Sequence, residues 1–201
     1  MAHEYDVEAS EPVYEGAIIT VRRDLVAMPG GHEAWRDVVA HPGAVGVVAY
    51  ADGQILLLHQ YRHPVRQRLW ELPAGLLDVA AEPASTAAKR ELAEEAGVEA
   101  KRWDTLVDTF TSPGMSDEAI RIFLARDISE LTEQHERVDE EADLEVHWVP
   151  LEDAVRRVMS GQITNAMAVV GILSAALVRE SGFQGLRAAN APWDARPAHA
   201  G

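Results

Sequence analysis

The sequence predicts an α+β domain in which a mixed sheet packs between helices, and three observations support this. Strand-like stretches come in runs, from residue 16 to 75 and again from 103 to 128, with few helices between them. "GAVGVVAY" (43–50) is a short continuous apolar run, the pattern of a strand buried on both faces. Three stretches, 83–96, 151–161 and 165–180, read as helices and supply the outer layers.

Taken in order, residues 1–12 read as a polar arm, and "GAIITVRRDLVAM" (16–28) is β-rich and runs into the turn signal "PGGH". "EAWRDVVAH" (33–41) returns as a second strand. After 43–50, "ADGQ" turns a hairpin into "ILLLHQYR" (55–62), and "RLWELPAG" (68–75) is a short strand ending in a Pro-Ala-Gly corner. "WDTLVDTFTS" (103–112) and "EAIRIFLARDI" (118–128) flank the loop "PGMSD". Residues 129–143 are polar and read as a loop, and "LEVHWVPL" (144–151) alternates as a strand does. "LEDAVRRVMSG" is a helix stopped by Gly161, and "NAMAVVGILSAALVRE" (165–180) is an apolar helix of the core or of a dimer. The organisation predicted is an arm and strand pair over 1–42, a main domain over 43–181 and a flexible tail over 182–201.

The net charge of −15 repels phosphodiester backbones, which argues against broad nucleic-acid binding. A small phosphorylated substrate would need something positive between itself and the protein, either divalent metal or local arginines. No apolar run reaches the ~18 residues of a membrane span, and "MAHEYDVEASEP" has neither the basic nor the apolar part of a signal peptide. The chain has no cysteine, so disulfide and thiolate chemistry are excluded. These features fit a cytoplasmic protein.

The stretch "AAKRELAEEAGV" (87–98) carries the chemistry. Pro83 suits the first turn of a helix and Gly97 suits its left-handed stop. At 100° per residue, Glu91, Glu94 and Glu95 fall within an arc of about 100° beside the apolar stripe of Ala88, Leu92 and Ala96. Arg90 can pair with Glu94 at i,i+4, but Glu91 and Glu95 are an i,i+4 pair of like charge. A solvated acidic face is one reading. The other is a shared divalent cation, since Mg²⁺ takes hard oxygen ligands, few protein carboxylates and substrate phosphates.

The longer string "GLLDVAAEPASTAAKRELAEEAGV" (75–98) resembles the signature of the Nudix hydrolases, with Glu82, Arg90, Glu91, Leu92, Glu94, Glu95, Gly97 and Val98 in place. Six residues rather than five separate Gly75 from Glu82, which is read as one extra loop residue near Ala80–Ala81. "LPAG", "QYRH" and Pro113, sixteen residues past Gly97, resemble the ADP-ribose pyrophosphatase branch. The resemblance implies a Nudix-like α/β/α sandwich with an N-terminal antiparallel strand arm, working as a homodimer. It implies Mg²⁺ as cofactor, with Mn²⁺ a substitute, held by Glu91, Glu95 and the Ala74 carbonyl. Glu94 would be an auxiliary ligand or water anchor, Arg90 would orient the glutamates, and Glu82 would hold the helix start.

In this branch the catalytic base is often a loop glutamate outside the signature. "RVDEEADLEV" offers Asp139, Glu140, Glu141 and Asp143, of which Glu141 is favoured and Glu140 comes second. Arg62 could hold a diphosphate oxygen or simply pair with an acid. Glu71 could accept from ribose or base, or be structural. Trp35 and Trp70 could stack on adenine or serve the core, while His59 and His63 read as packing or surface. Pro113, with Met115 and Ser116, would shape the nucleoside pocket. The implied reaction is hydrolysis of a nucleoside diphosphate linked to another moiety, best ADP-ribose to AMP and ribose 5-phosphate. The alternatives are another Nudix substrate (a nucleotide sugar, a dinucleoside polyphosphate, an oxidised nucleotide) or a non-catalytic nucleotide-binding module.

Overall fold

The N-terminal residues form a sheet of their own. The computed structural model describes residues 3–132, 143–194 and 196. In it β1 (Val7–Glu15), β2 (Thr20–Met28) and β3 (His32–Ala40) pair antiparallel in that order. The expected strand pair is thus three-stranded, and part of the stretch read as a polar arm is its outer strand. "VEASEPVYE" does not look like a strand because it has no inner face: every residue of β1 is exposed. Backbone pairing to β2 holds it, with register shifts between Val7 and Ala9 and between Pro12 and Tyr14. A proline without an N–H is tolerated on such an edge.

The main sheet is built from β4 (Ala44–Ala51), β5 (Gln54–Arg62), β6 (Gln67–Glu71), β7 (Ala74–Leu76), β8 (Val98–Phe110), β9 (Ala119–Glu130), β10 (Glu145–Pro150) and β11 (Arg187–Ala188). Its order is β10-β5-β4-β9-β8-β11, with β6 paired to β5 and β7 to β4. β4 and β9 run parallel while their neighbours run antiparallel, so the sheet is mixed. β4 is buried from Ala44 to Ala49, as its continuous apolar run predicted.

The pleat of β4 divides the core. Val45, Val47 and Ala49 join Ala87, Ala88 and Leu92 of α1 (Ala84–Ala96). Ala44 and Val48 join Leu151 and Ala154 of α2 (Leu151–Met159) and Ala168, Ile172 and Ala175 of α3 (Ala166–Glu180). Fully burying side chains such as Leu57, Leu92 and Ile172 stabilises the fold by about 1.5–3 kcal/mol each. α3 starts at Asn165, whose side chain accepts the Ala168 N–H at 2.9 Å. It lies so close to the sheet that a Cβ on Gly171 would fall 2.6 Å from Leu72 Cδ1. α3 is therefore a core helix, although Leu177 on its far side is 70% exposed.

The C-terminal stretch, expected to be loose, is docked over residues 187–193. β11 pairs with Thr105 and Asp104 of β8. Arg121, 3% exposed on β9, forks onto Asp108 at 2.7 and 3.0 Å and donates to the carbonyls of Ala191 and Pro192 at 2.7 and 2.9 Å. Its guanidinium lies 4.8 Å from the Trp193 ring. Burial pushes the Asp108 carboxyl up, but bonds from Arg121 and Arg187 outweigh this and hold it below the usual range. A buried arginine needs acceptors, and the tail supplies two of them.

Candidate active site

α1 is entered from a tight turn. Pro83 is its N-cap rather than its first helical residue, and the Pro83 carbonyl accepts the N–H groups of Thr86 and Ala87 at 2.8 and 3.1 Å. Gly97 ends the helix at φ 66°. Ala81, where the extra loop residue was placed, has φ 60°. The insertion is thus taken up by one left-handed residue, at a cost of about 1–2 kcal/mol, and the helix spacing is untouched.

The glutamates sit against the backbone of β7. Glu95 is 6% exposed and belongs to the buried face of the helix rather than lying beside it. Its Oε2 accepts the Ala74 N–H at 2.8 Å. The Glu91 carboxyl lies over Gly75 so closely that a Cβ there would fall 2.0 Å from its Cδ and Oε1. Arg90 gathers the rest: Nη1 donates to Glu91 at 2.6 Å and to Glu94 at 3.1 Å, while Nε and Nη2 donate to Glu82 at 3.3 and 3.2 Å. The Glu82 bonds, reinforced against the penalty of burial by the Glu91 charge and by bonds to Glu91 and Glu94, raise the Arg90 pKa above its ordinary value.

Among the described residues, no three Asp, Glu or His side chains converge closely enough to hold an ion as they stand. Glu91 and Glu94 accept from Arg90, and Glu95 Oε2 accepts from the Ala74 amide. The donor set nonetheless fits a hard divalent ion, being all carboxylate and backbone oxygen. Gly75 leaves the Glu91 carboxyl the space that a side chain would fill.

Ala74, Gly75 and Leu76 also line a cavity of about 520 Å³. Arg62 and Glu71 line the same cavity, as do His41, Thr111 and Glu118, and the start of α3 at Asn165–Met167. Arg62 and Glu71 are engaged with each other: Nε donates to both carboxylate oxygens at 3.1 Å and Nη2 to Oε2 at 2.7 Å. Glu71 is 3% exposed, and a carboxylate that deep needs such a partner. Two of the three predicted substrate contacts thus face the cavity as a preassembled pair.

Pro113 does not join them within this chain. With Met115 and Ser116 it lines a second cavity, of about 600 Å³, against Tyr5, Val7 and Val38 of the N-terminal segment. Glu141, Glu140 and Asp139 lie outside the described residues. Asp143 is described and pairs with Arg68. Trp70 has His59 stacked on it at 4.6 Å and Arg157 at 5.1 Å, so protein groups occupy its ring. Arg23 likewise lies over Trp35 at 4.8 Å. Sequence reasoning missed His41, Thr111 and Glu118, because what brings them to the cavity is the parallel pairing of β4 with β9, Ala44 beside Ile120.

The sequence profile of the NUDIX domain matches residues 40–168, well over half of the chain. The chain belongs to the Nudix family. One relative, the ADP-ribose pyrophosphatase of Mycobacterium tuberculosis, is 46% identical over 196 residues, which cover 97% of this chain and 94% of the relative. The ADP-ribose pyrophosphatase of Bacillus subtilis is 39% identical over 165 residues, 82% of this chain and 88% of the relative. A solved structure of an ADP compounds hydrolase superposes with a TM-score of 0.77, covering 90% of this chain and 98% of that one. At 19% identity it shows that the two share the Nudix-like fold.

Proposed function

We propose that this Nudix hydrolase cleaves ADP-ribose to AMP and ribose 5-phosphate. The observation that carries the reading is the seating of Glu91 and Glu95 on the Ala74–Gly75 backbone, at the edge of a cavity that also presents the Arg62–Glu71 pair. The names and coverage of the two pyrophosphatase relatives support the choice of substrate.

Glu91, Glu95 and the Ala74 carbonyl would hold Mg²⁺, or Mn²⁺ in its place, with Glu94 as auxiliary ligand. When bound, the ion neutralises charge on the diphosphate and acidifies a water. Arg90 keeps Glu91 and Glu94 oriented through its bonds to both and is anchored by Glu82. Arg62, aligned by Glu71, donates to a diphosphate oxygen. Water adds to one phosphorus, the bridging P–O bond breaks, and Glu141 takes the proton from the water. Pro113 and its neighbours would shape the nucleoside pocket, and the enzyme would work as a homodimer in the cytoplasm. Light scattering that finds a monomer would exclude the homodimer, and recovery of the protein outside the soluble cell fraction would exclude the cytoplasm. Among the described residues no helix is long and apolar enough to cross a membrane.

The test is a substrate panel with product identification in Mg²⁺ and in Mn²⁺. ADP-ribose is expected to give AMP and ribose 5-phosphate, with activity abolished by chelation and restored by Mg²⁺. A higher kcat/KM for a nucleotide sugar, a dinucleoside polyphosphate or an oxidised nucleotide would reassign the substrate. Folded protein inactive on the whole panel would point to a binding module. Within the active enzyme, Glu141→Gln is expected to lose more kcat than Glu140→Gln, and the reverse order would move the base.

A further inference from the structure

We propose that Asp117 is a positioning residue that holds the His41–Glu118 wall of the cavity and ties it, through Arg22, to the N-terminal sheet. The inference rests on reading this cavity as the substrate site.

Asp117 lines the second cavity, not the one beside Glu91, whereas His41, whose backbone it binds, and Glu118, which follows it, line the first. Its Oδ1 accepts the main-chain N–H of His41 at 2.9 Å. Its Oδ2 is 3.5 Å from Arg22 Nη1, with the Asp117 side chain only 12% exposed. The Asp117 N–H donates to the Val39 carbonyl at 3.2 Å, and the Val39 N–H to the Met115 carbonyl at 2.8 Å. One half-buried carboxylate is therefore where β2, the link from β3 to β4, and the loop from β8 to β9 meet. Arg22 is in turn aligned by Asp24 at 3.1 Å, which accepts Ser10 Oγ–H of β1 at 2.7 Å.

The wall itself is polar. His41 Nδ1 accepts the Gly43 N–H at 3.1 Å, so in the neutral ring the proton is on Nε2. The same Nδ1 lies 3.7 Å from Glu118 Oε1, and Thr111 Oγ1 donates to Glu118 Oε2 at 2.5 Å. His41 is placed by a bond from its backbone to Asp117, and Glu118 by being the next residue. The glutamates of α1 are held separately, by Arg90 and the Ala74 amide. Loosening Asp117 should therefore weaken substrate binding and spare the chemistry, and disturbing the N-terminal sheet should be felt at the same wall.

Asp117→Ala, Asp117→Asn and Arg22→Gln test this, measured on whichever panel substrate the wild type hydrolyses. Asp117→Ala is expected to raise KM about tenfold, with kcat and the half-saturating Mg²⁺ concentration within about twofold, the pattern of lost binding that is uniform between ground and transition states. Asp117→Asn keeps an oxygen for the His41 N–H and loses only the charge opposite Arg22. It should raise KM about threefold, match Arg22→Gln, and add nothing to it in the double variant. KM within twofold of wild type in Asp117→Ala, a fall in kcat at constant KM, or additive Asp117→Asn and Arg22→Gln effects would each overturn the proposal. If Asp117→Ala does not fold, the Asn–Gln cycle decides alone. A wild type inactive on every panel member would sink the function reading instead, and the cycle is then read on the dissociation constant for ADP-ribose.

Discussion

Glu95→Gln is expected to lower kcat about a hundred- to a thousandfold at saturating Mg²⁺, the loss typical when one preorganised charge-stabilising group is removed. The structure makes this substitution clean. The Glu95 carboxylate accepts the Ala74 N–H through Oε2, and a glutamine carbonyl oxygen can accept the same bond at nearly the same length. The side chain is nearly enclosed, so it has little freedom to take up another pose. Removing one of two like charges at i,i+4 also relieves a repulsion of a few tenths of a kcal/mol, so the melting temperature should hold or rise slightly. Turnover and thermal melting measured on one preparation check both halves. Activity within threefold of wild type would sink the assignment of Glu95 as a metal ligand, and a large drop in melting temperature would mean that Glu95 is structural.

The contrast between Glu95 and β1 shows what a sequence can and cannot display. The helix was legible because its stop and its spacing are local: Gly97 takes the left-handed conformation, and the carboxylates follow from the helical period. The central strand was legible because burial on both faces leaves a continuous apolar run. β1 is not, because all of its residues are exposed and backbone pairing to β2, with one bond from Ser10 Oγ to Asp24, leaves no apolar alternation to read. The C-terminal stretch was misjudged for a related reason, since the group that docks it, Arg121, lies seventy residues before the carbonyl of Ala191 that it binds. In the site, residue types were legible but partners were not. In the sequence Arg62 and Glu71 read as two separate candidates, yet they form a pair across the β5–β6 hairpin. Pro113 is expected at the nucleoside and Arg62 at the diphosphate, and within one chain the loop from β8 to β9 divides its residues between two cavities, Glu118 facing the one with Arg62 and Pro113 the other.

Gly75→Ala should disable the same site from the opposite side. Gly75 shows no left-handed φ, so the backbone itself admits alanine there. The conflict is with one side chain: the new Cβ would lie 2.0 Å from Glu91 Cδ and Oε1 and 2.4 Å from Cγ. A carbon–carbon contact needs about 3.5 Å or more, so Glu91 must shift by well over 1 Å. A misplacement of about 1 Å at a positioned catalytic group can cost about a hundredfold in rate, and kcat/KM should fall by at least that much. Overpacking at β7 should cost about 1–3 kcal/mol of stability. A Glu91→Ala background separates the two effects, because it removes the atoms that the methyl group would strike. There, Gly75→Ala should cost little stability and no further activity, a strongly non-additive cycle. If Gly75→Ala were equally harmful with and without Glu91, the glycine would be serving the turn into β7. If it were harmless in the wild type, Glu91 could work from another pose, and its seat on Gly75 would not be the geometry that catalysis uses.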